Sequence, residues 1–272
     1  MKKFDTVYFE QPRVMGILNL TPDSFYDGNR YLKEEEYIRR VGQMLDEGAD
    51  IIDAGAVSTR PGAAPVSAAE EIRRLEAPLR NIRKHFPGAV LSLDTFRKKV
   101  AERFWKEGLV NMINDISGGT MDKDMLKCID ENHIPYVLMH IQGTPPTMQN
   151  NPHYADIVSD IRAFFLRGLE HLQNTTAPVI LDPGFGFGKT LRDNYVLLKR
   201  LKELAIENHP LLVGVSRKSM IYKLLNTVPE KALNGTAAVH TIALLNHAKI
   251  LRVHDVKEAK EIIEIVSFYN AE

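Results

Sequence analysis

Eight short apolar runs are spaced along the whole of this chain, and each gives way at once to a small polar cluster. The runs cover residues 14–18, 51–53, 89–93, 111–113, 135–139, 179–181, 211–215 and 249–253. With them stand Asn19, Ser58-Thr59-Arg60, Asp94, Asn114-Asp115, His140, Asp182, Ser216-Arg217-Lys218, and Arg252 with His254. The runs are nearly all apolar instead of alternating, which is how strands buried on both faces of a parallel sheet read. Helix-type periodicity fills the intervals. An open doubly wound sheet shares that alternation but gathers its polar groups at one switch point, whereas here they follow every run. The expected fold is therefore α/β, a (β/α)8 TIM barrel over 1–272 as a single domain, with its site at the carboxyl ends of the strands.

The helices are read from spacing and end signals. Residues 34–48 put Tyr37, Ile38, Val41 and Leu45 on one face and stop at Gly48. Ser67-Ala68-Ala69-Glu70 has the form of a capping box, opening a helix that runs to about Phe86, before Pro87-Gly88. Similar spacing marks 193–204 and 256–269. The segments 21–30 and 54–66, after the first two strands, are long and rich in Gly, Pro, Ser and Asp, and are expected to form mobile lids over the barrel mouth.

Composition narrows the partners. Lys plus Arg and Asp plus Glu both number 35, so no global charge favours nucleic acid or an anionic membrane, and any anion site must be local. No apolar stretch is long enough for a bilayer span or a signal sequence, so the cytoplasm is the expected location. The single cysteine, Cys128, lies in a helical pattern and reads as a buried small hydrophobe.

Asp94, Asn114 and Asp182 end three different strands. Each alone could cap the next helix; three at equivalent strand ends point to a shared pocket. Two carboxylates and an amide there could hold a metal, act as acid and base, or accept hydrogen bonds from a flat heterocycle. No His/Cys ligand spacing supports the metal. The glycine-rich stretch from Gly184 to Thr190 imitates a phosphate loop, but Pro183 occupies the place of its first glycine. Its glycines better suit close passage of backbone past a ligand, with Phe187 as an aromatic wall. Ser216-Arg217-Lys218-Ser219 opens a helix and offers cations, hydroxyls and backbone N–H groups to an anion. Arg252 and His254 share one side of the last strand, and His140 reads as structural.

These residues resemble the dihydropteroate synthase family, the sulfonamide target of folate synthesis. Met15 through Phe25 resembles its first signature, and Gly48 through Asp53 with Ser58 through Gly62 its second. Asp94-Thr95, Asn114-Asp115, Asp182-Pro183-Gly184, Ser216 through Ser219 and Arg252 through Asp255 continue the match in order. Departures fall at Ala54, Ala56, Val57, Tyr26 and Asn29, and bear on loop behaviour and inhibitor affinity more than on the reaction.

The resemblance implies condensation of a dihydropterin methyl diphosphate with 4-aminobenzoate by a dissociative, SN1-like substitution. It implies a pterin site of Asp94, Asn114, Asp182, Lys218, Arg252 and Phe187, with Lys218, Arg252, Asp94 and Asp182 as the catalytic set. The diphosphate would fall to Asn19, Thr59, Arg60, Arg252 and His254, with Mg²⁺ on Asn19. The aminobenzoate would fall to Phe25, Thr59, Pro61, Phe187, Lys218 and Ser219. A homodimer is implied as well. Two alternatives stand beside this reading: a pterin-binding methyltransferase domain, which needs no diphosphate site, and a non-catalytic pterin-binding paralogue, which would be expected to lack some of the charged residues.

Overall fold

A computed structural model describes residues 6–21, 34–58 and 65–271. Eight parallel strands close on themselves in sequence order: β1 (Arg13–Asn19), β2 (Ile51–Gly55), β3 (Leu91–Asp94), β4 (Met112–Asp115), β5 (Tyr136–Met139), β6 (Val179–Asp182), β7 (Leu211–Val213) and β8 (Ala248–Val253). β8 returns to β1, with Met15 opposite Arg252, so the barrel has no open edge among these strands. Outside it lie α1 (Glu34–Asp46), α2 (Ala68–His85), α3 (Lys98–Lys106), α4 (Met125–Glu131), α5 (Ile157–Glu170), α6 (Leu191–Lys199), α7 (Ser219–Tyr222), α8 (Leu233–Leu245) and α9 (Val256–Ala271).

The period of two along a strand explains where the chemistry lies. Met15, Ile51, Val90, Met112, Val137, Ile180, Leu212 and Ile250 point inward and form one apolar layer, closed beneath by Phe9 of a 3-10 turn, Thr6–Phe9. Two residues further along the same strands, the inward set is Ile17, Asp53, Ser92, Asn114, Met139, Asp182, Gly214 and Arg252. A polar tier thus rests directly on an apolar floor. Outward-facing residues such as Ile52, Leu93, Ile113 and Leu251 pack under the helices in the larger core.

Local signals hold with two changes. Ser67 caps α2 by accepting from the Glu70 N–H at 3.2 Å, but the Glu70 carboxylate turns to Arg73 and Arg74, so only half of the expected capping box forms. The reciprocal box occurs instead at Thr190 and Asp193, and starts α6 two residues before 193. The helix expected over 193–204 ends at Lys199, and a separate 3-10 turn, Leu201–Leu204, buries Leu201 and Leu204. Apolar spacing continues through the break, which is why periodicity alone joined the two pieces. Cys128 is buried at 3% exposure, as its pattern indicated. The lid segments fall largely in 22–33 and 59–64, outside the described residues, as do Phe25, Tyr26, Asn29, Thr59, Arg60 and Pro61.

Candidate active site

The polar tier is built around Arg252. Its Nε donates to Asp53 Oδ2 at 2.7 Å and a terminal nitrogen donates to Asp94 Oδ2 at 2.7 Å. Asn114 Nδ2 donates to the same Asp53 oxygen at 2.8 Å. Four strands, β2, β3, β4 and β8, are thereby tied together. Asp53 is fully buried, and its engagement fixes the planar guanidinium across the barrel. Burial opposes the Arg252 charge, but Asp53 and Asp94 more than offset that effect and raise its pKa.

Asp94 reaches the pocket because β2 passes it without a side chain: a Cβ on Gly55 would lie 3.1 Å from Asp94 Cβ. Burial pushes the Asp94 carboxyl up to about 7, against the pull of Arg252, so near neutrality it can accept or donate a hydrogen bond. Asp182 spends Oδ1 on the Gly184 N–H at 2.7 Å and makes no other hydrogen bond among the described residues, leaving its second oxygen for a ligand. Burial raises its pKa while nearby Lys218 favours the carboxylate.

Lys218 arrives from β7, with Nζ donating to Phe185 O at 2.7 Å and lying 4.8 Å from the centre of the Phe187 ring. Gly214 stands beneath it, since a Cβ there would come within 3.8 Å of Lys218 Nζ and of Arg252 Cβ. Absence of a side chain keeps the floor between the two cations low enough for a flat ring.

The Lys218 ammonium titrates early for a lysine. Burial brings it down to about 8, against support from Asp182 and Asp94, with Arg252 adding to the fall. A lowered cation keeps its charge below that pH and loses it above. Affinity for the pterin that the resemblance implies is therefore expected to fall as pH rises past about 8, and in Lys218→Arg, whose guanidinium stays charged, that alkaline limb should vanish. Titration calorimetry across pH checks this; the same limb in both proteins would remove Lys218 as its origin.

The Ser216–Ser219 turn does not present both of its cations to the pocket. Arg217 has φ of +56° and turns away from the pocket. Its guanidinium clamps Asp255 at 2.8 Å through two contacts and also donates to Pro229 O and Glu230 O. α7 is a single turn with Lys218 at its N-cap and no side-chain cap hydrogen bond. Lys218 alone of the two cations serves the pocket, and Ser219 is half-buried at the start of that turn. Asn114-Asp115 likewise divides: Asp115 is wholly buried, accepting from Ser117 N, Ser117 Oγ, Gly119 N and Tyr136 Oη, and is structural.

His254 lies half-buried beside this cluster. Its backbone N–H donates to Ser216 Oγ at 3.2 Å, and Nδ1 is also 3.2 Å from that oxygen. With the hydroxyl donating to Nδ1, the ring proton is assigned to Nε2. Burial and then Arg252 bring the imidazole down to about 4, so at neutral pH it is an uncharged donor. Asn19, exposed at the end of β1, lines a cleft of about 300 Å³ with His254, Arg40 and Glu36. Arg40 also donates to His254 O at 2.7 Å. A larger surface groove of about 590 Å³, lined by Arg39, Gly42, Asp46 and Lys257, shares no residue with the strand-end cluster.

Of the residues expected at the site, the structure brings Asp94, Asn114, Asp182, Lys218, Arg252 and Phe187 together at the strand ends and sets Asn19 and His254 on the adjoining cleft. Two residues in this arrangement were not among those expected: Asp53, bonded to Arg252 and Asn114, and Arg40, bonded to His254 O. Counting in twos from Ile51 would have placed Asp53 inside the barrel; Arg40, on a helix face, carried no comparable signal.

The pterin-binding enzyme family model matches residues 15–254. Dihydropteroate synthase of Escherichia coli strain K12 is 43% identical over 258 residues, covering 94% of this chain and 90% of that protein. The chain belongs to the dihydropteroate synthase family. A Yersinia pestis dihydropteroate synthase structure with a sulfonamide drug complex superposes with a TM-score of 0.89 at 41% identity, covering 97% of this chain and 96% of that one. A Xanthomonas albilineans dihydropteroate synthase in complex with 7,8-dihydropteroate gives 0.84 at 32% identity, with coverage of 97% and 95%. Membership over nearly the full length sets aside the methyltransferase alternative. Ala54 and Ala56, two of the expected departures, are fully buried in the outer core.

Proposed function

We propose that the strand-end pocket carries out the family's reaction by holding a dihydropterin ring on its polar tier and a diphosphate beside it. The observation that carries this reading is the Asp53–Arg252–Asp94 arrangement, with Asn114 bonded into it and Asp182 left with a free oxygen. A pterin presents an amino group and a ring N–H side by side, and Asp182 can accept from both. Asp94 and Asn114 meet the remaining ring edge, Lys218 meets the ring carbonyl, and the Arg252 guanidinium lies against the ring face.

The diphosphate falls to Asn19, His254 and Arg252, with Thr59 and Arg60 completing the set from outside the described residues. The bond between the methylene carbon and the diphosphate oxygen breaks, and its electron pair leaves with the oxygen. The pterin delocalises the resulting cation. The aryl amine nitrogen then attacks, forming the C–N bond, and the resulting anilinium gives its proton to solvent. An aryl amine is already nucleophilic, so the site needs placement and charge stabilisation more than a strong base. Phe187, Lys218 and Ser219 border the second substrate's slot, with Phe25, Thr59 and Pro61 expected from the loops.

Among the described residues no group of three or more His, Cys, Asp or Glu side chains could hold a metal. The exposed Asn19 amide oxygen nevertheless fits Mg²⁺, which keeps several waters and takes substrate phosphates with one or two protein oxygens. Bound there, the ion would neutralise leaving-group charge. No helix among the described residues is long and apolar enough to cross a membrane. A cytoplasmic location and a homodimer belong to the same proposal. Exposed Leu224, Leu225, Val228, Ile242 and Leu245 supply apolar surface for assembly, which sedimentation would read.

Turnover with chelator tests the chemical part. The protein with both substrates and Mg²⁺ should release dihydropteroate and diphosphate in equal amounts, and EDTA should abolish this until Mg²⁺ is restored. Pterin binding without any product would instead favour the non-catalytic paralogue.

A further inference from the structure

The segment 184–188 carries Phe187 to the pocket without regular secondary structure, yet all five of its carbonyls accept from side chains. Gly184 O and Phe187 O accept from Lys189 Nζ at 2.9 and 3.1 Å. Gly186 O accepts from Gln149 Nε2 at 2.7 Å, and Gly188 O from Tyr154 Oη at 2.6 Å. Phe185 O accepts from Lys218. Most of this tethering comes from outside the pocket, from Lys189 and the long segment after β5.

The two segments form one block. Gly184 has φ of +68°, and a Cβ there would fall 2.0 Å from His140 O, so backbone packs directly on backbone. Lys189 is 3% exposed, and its third contact is His140 Nδ1 at 3.1 Å. Burial, and then the Lys189 charge, bring His140 down to about 2, so its ring is neutral and Nδ1 accepts. The three ammonium donors therefore meet three acceptors. No carboxylate comes within ion-pair distance of Lys189 among the described residues, and burial brings it down to about 7, with Asp182 supporting the charge from further away. A buried lysine held directly only by neutral acceptors is an expensive way to pin two carbonyls, when Gln149 and Tyr154 pin theirs with neutral groups.

We propose that Lys189, backed by His140, Gln149 and Tyr154, is a positioning residue for the second substrate. It acts through Phe187, fixing the ring at the height where a planar aromatic amine lies beside Lys218. The β5–α5 segment, which supplies no predicted substrate contact, thereby takes part in selecting the aromatic amine. This inference rests on Phe187 walling the aminobenzoate slot.

Steady-state kinetics of the full-length protein test it. Lys189→Met should raise KM for 4-aminobenzoate about tenfold, with KM for the pterin diphosphate changed by no more than about twofold. Phe187→Ala alone should also raise KM for 4-aminobenzoate, and Lys189→Met added to it should contribute little more. An equal added loss in both backgrounds, or parallel losses for both substrates, would overturn the role of Lys189 while leaving Phe187 in the slot. No change on Phe187→Ala would remove the slot assignment and this inference together. Should Lys189→Met fail to fold, Tyr154→Phe removes one tether only and should shift the same constant in the same direction, less far; an unchanged constant there would count against the proposal.

Discussion

Asp182→Ala is expected to weaken binding of the dihydropterin by about 2–4 kcal/mol, because two ligand donors would be buried without an acceptor. The carboxylate is nearly buried, and its one intramolecular hydrogen bond, to Gly184 N, leaves the other oxygen without a partner among the described residues. Loss of the side chain removes the ligand's acceptor and loosens the start of the 184–188 segment. Calorimetric titration with a pterin lacking the diphosphate isolates the ring contribution. A dissociation constant equal to that of the unaltered protein would remove Asp182 from the ring site.

Asp53→Ala should produce the largest loss of stability, on the order of 3–5 kcal/mol, as expected when one partner of a buried ion pair is removed. Asp53 is fully buried, and one of its oxygens accepts from both Arg252 and Asn114. Without it Arg252 keeps only Asp94, whose carboxyl is itself raised to about 7 by burial, and Asn114 loses the acceptor that orients it. Asp53→Asn keeps the shape and an acceptor oxygen, so it should unfold between the two. Urea denaturation reads the ordering. If Asp53→Ala unfolded at the same midpoint as the unaltered chain, the tier would not be held together as described.

Much of this site is legible in the sequence for a geometric reason. In a closed parallel barrel, inward positions recur every second residue, so Asp94, Asn114, Asp182 and Arg252 at the ends of apolar runs must converge. Asp53 escaped notice because β2 continues to Gly55, which placed this acid below the rim instead of at it. Arg217 was misplaced for the opposite reason. A basic residue beside Lys218 looks like part of an anion site, but its left-handed backbone conformation directs the guanidinium to Asp255. Lys189, dismissed with the false phosphate loop, acquires a role only when the β5 and β6 loops are seen in backbone contact. The break between Lys199 and Leu201 was hidden because both pieces bury leucines at helical spacing.

The most direct measurement of the central claim is a crystal structure of the complex with the dihydropterin methyl diphosphate. The account predicts the ring's amino edge on Asp182, its remaining edge at Asn114 and Asp94, its face against Arg252, and the diphosphate between Asn19 and His254. A ring bound away from this tier, for example in the outer groove between Arg39 and Lys257, would contradict it.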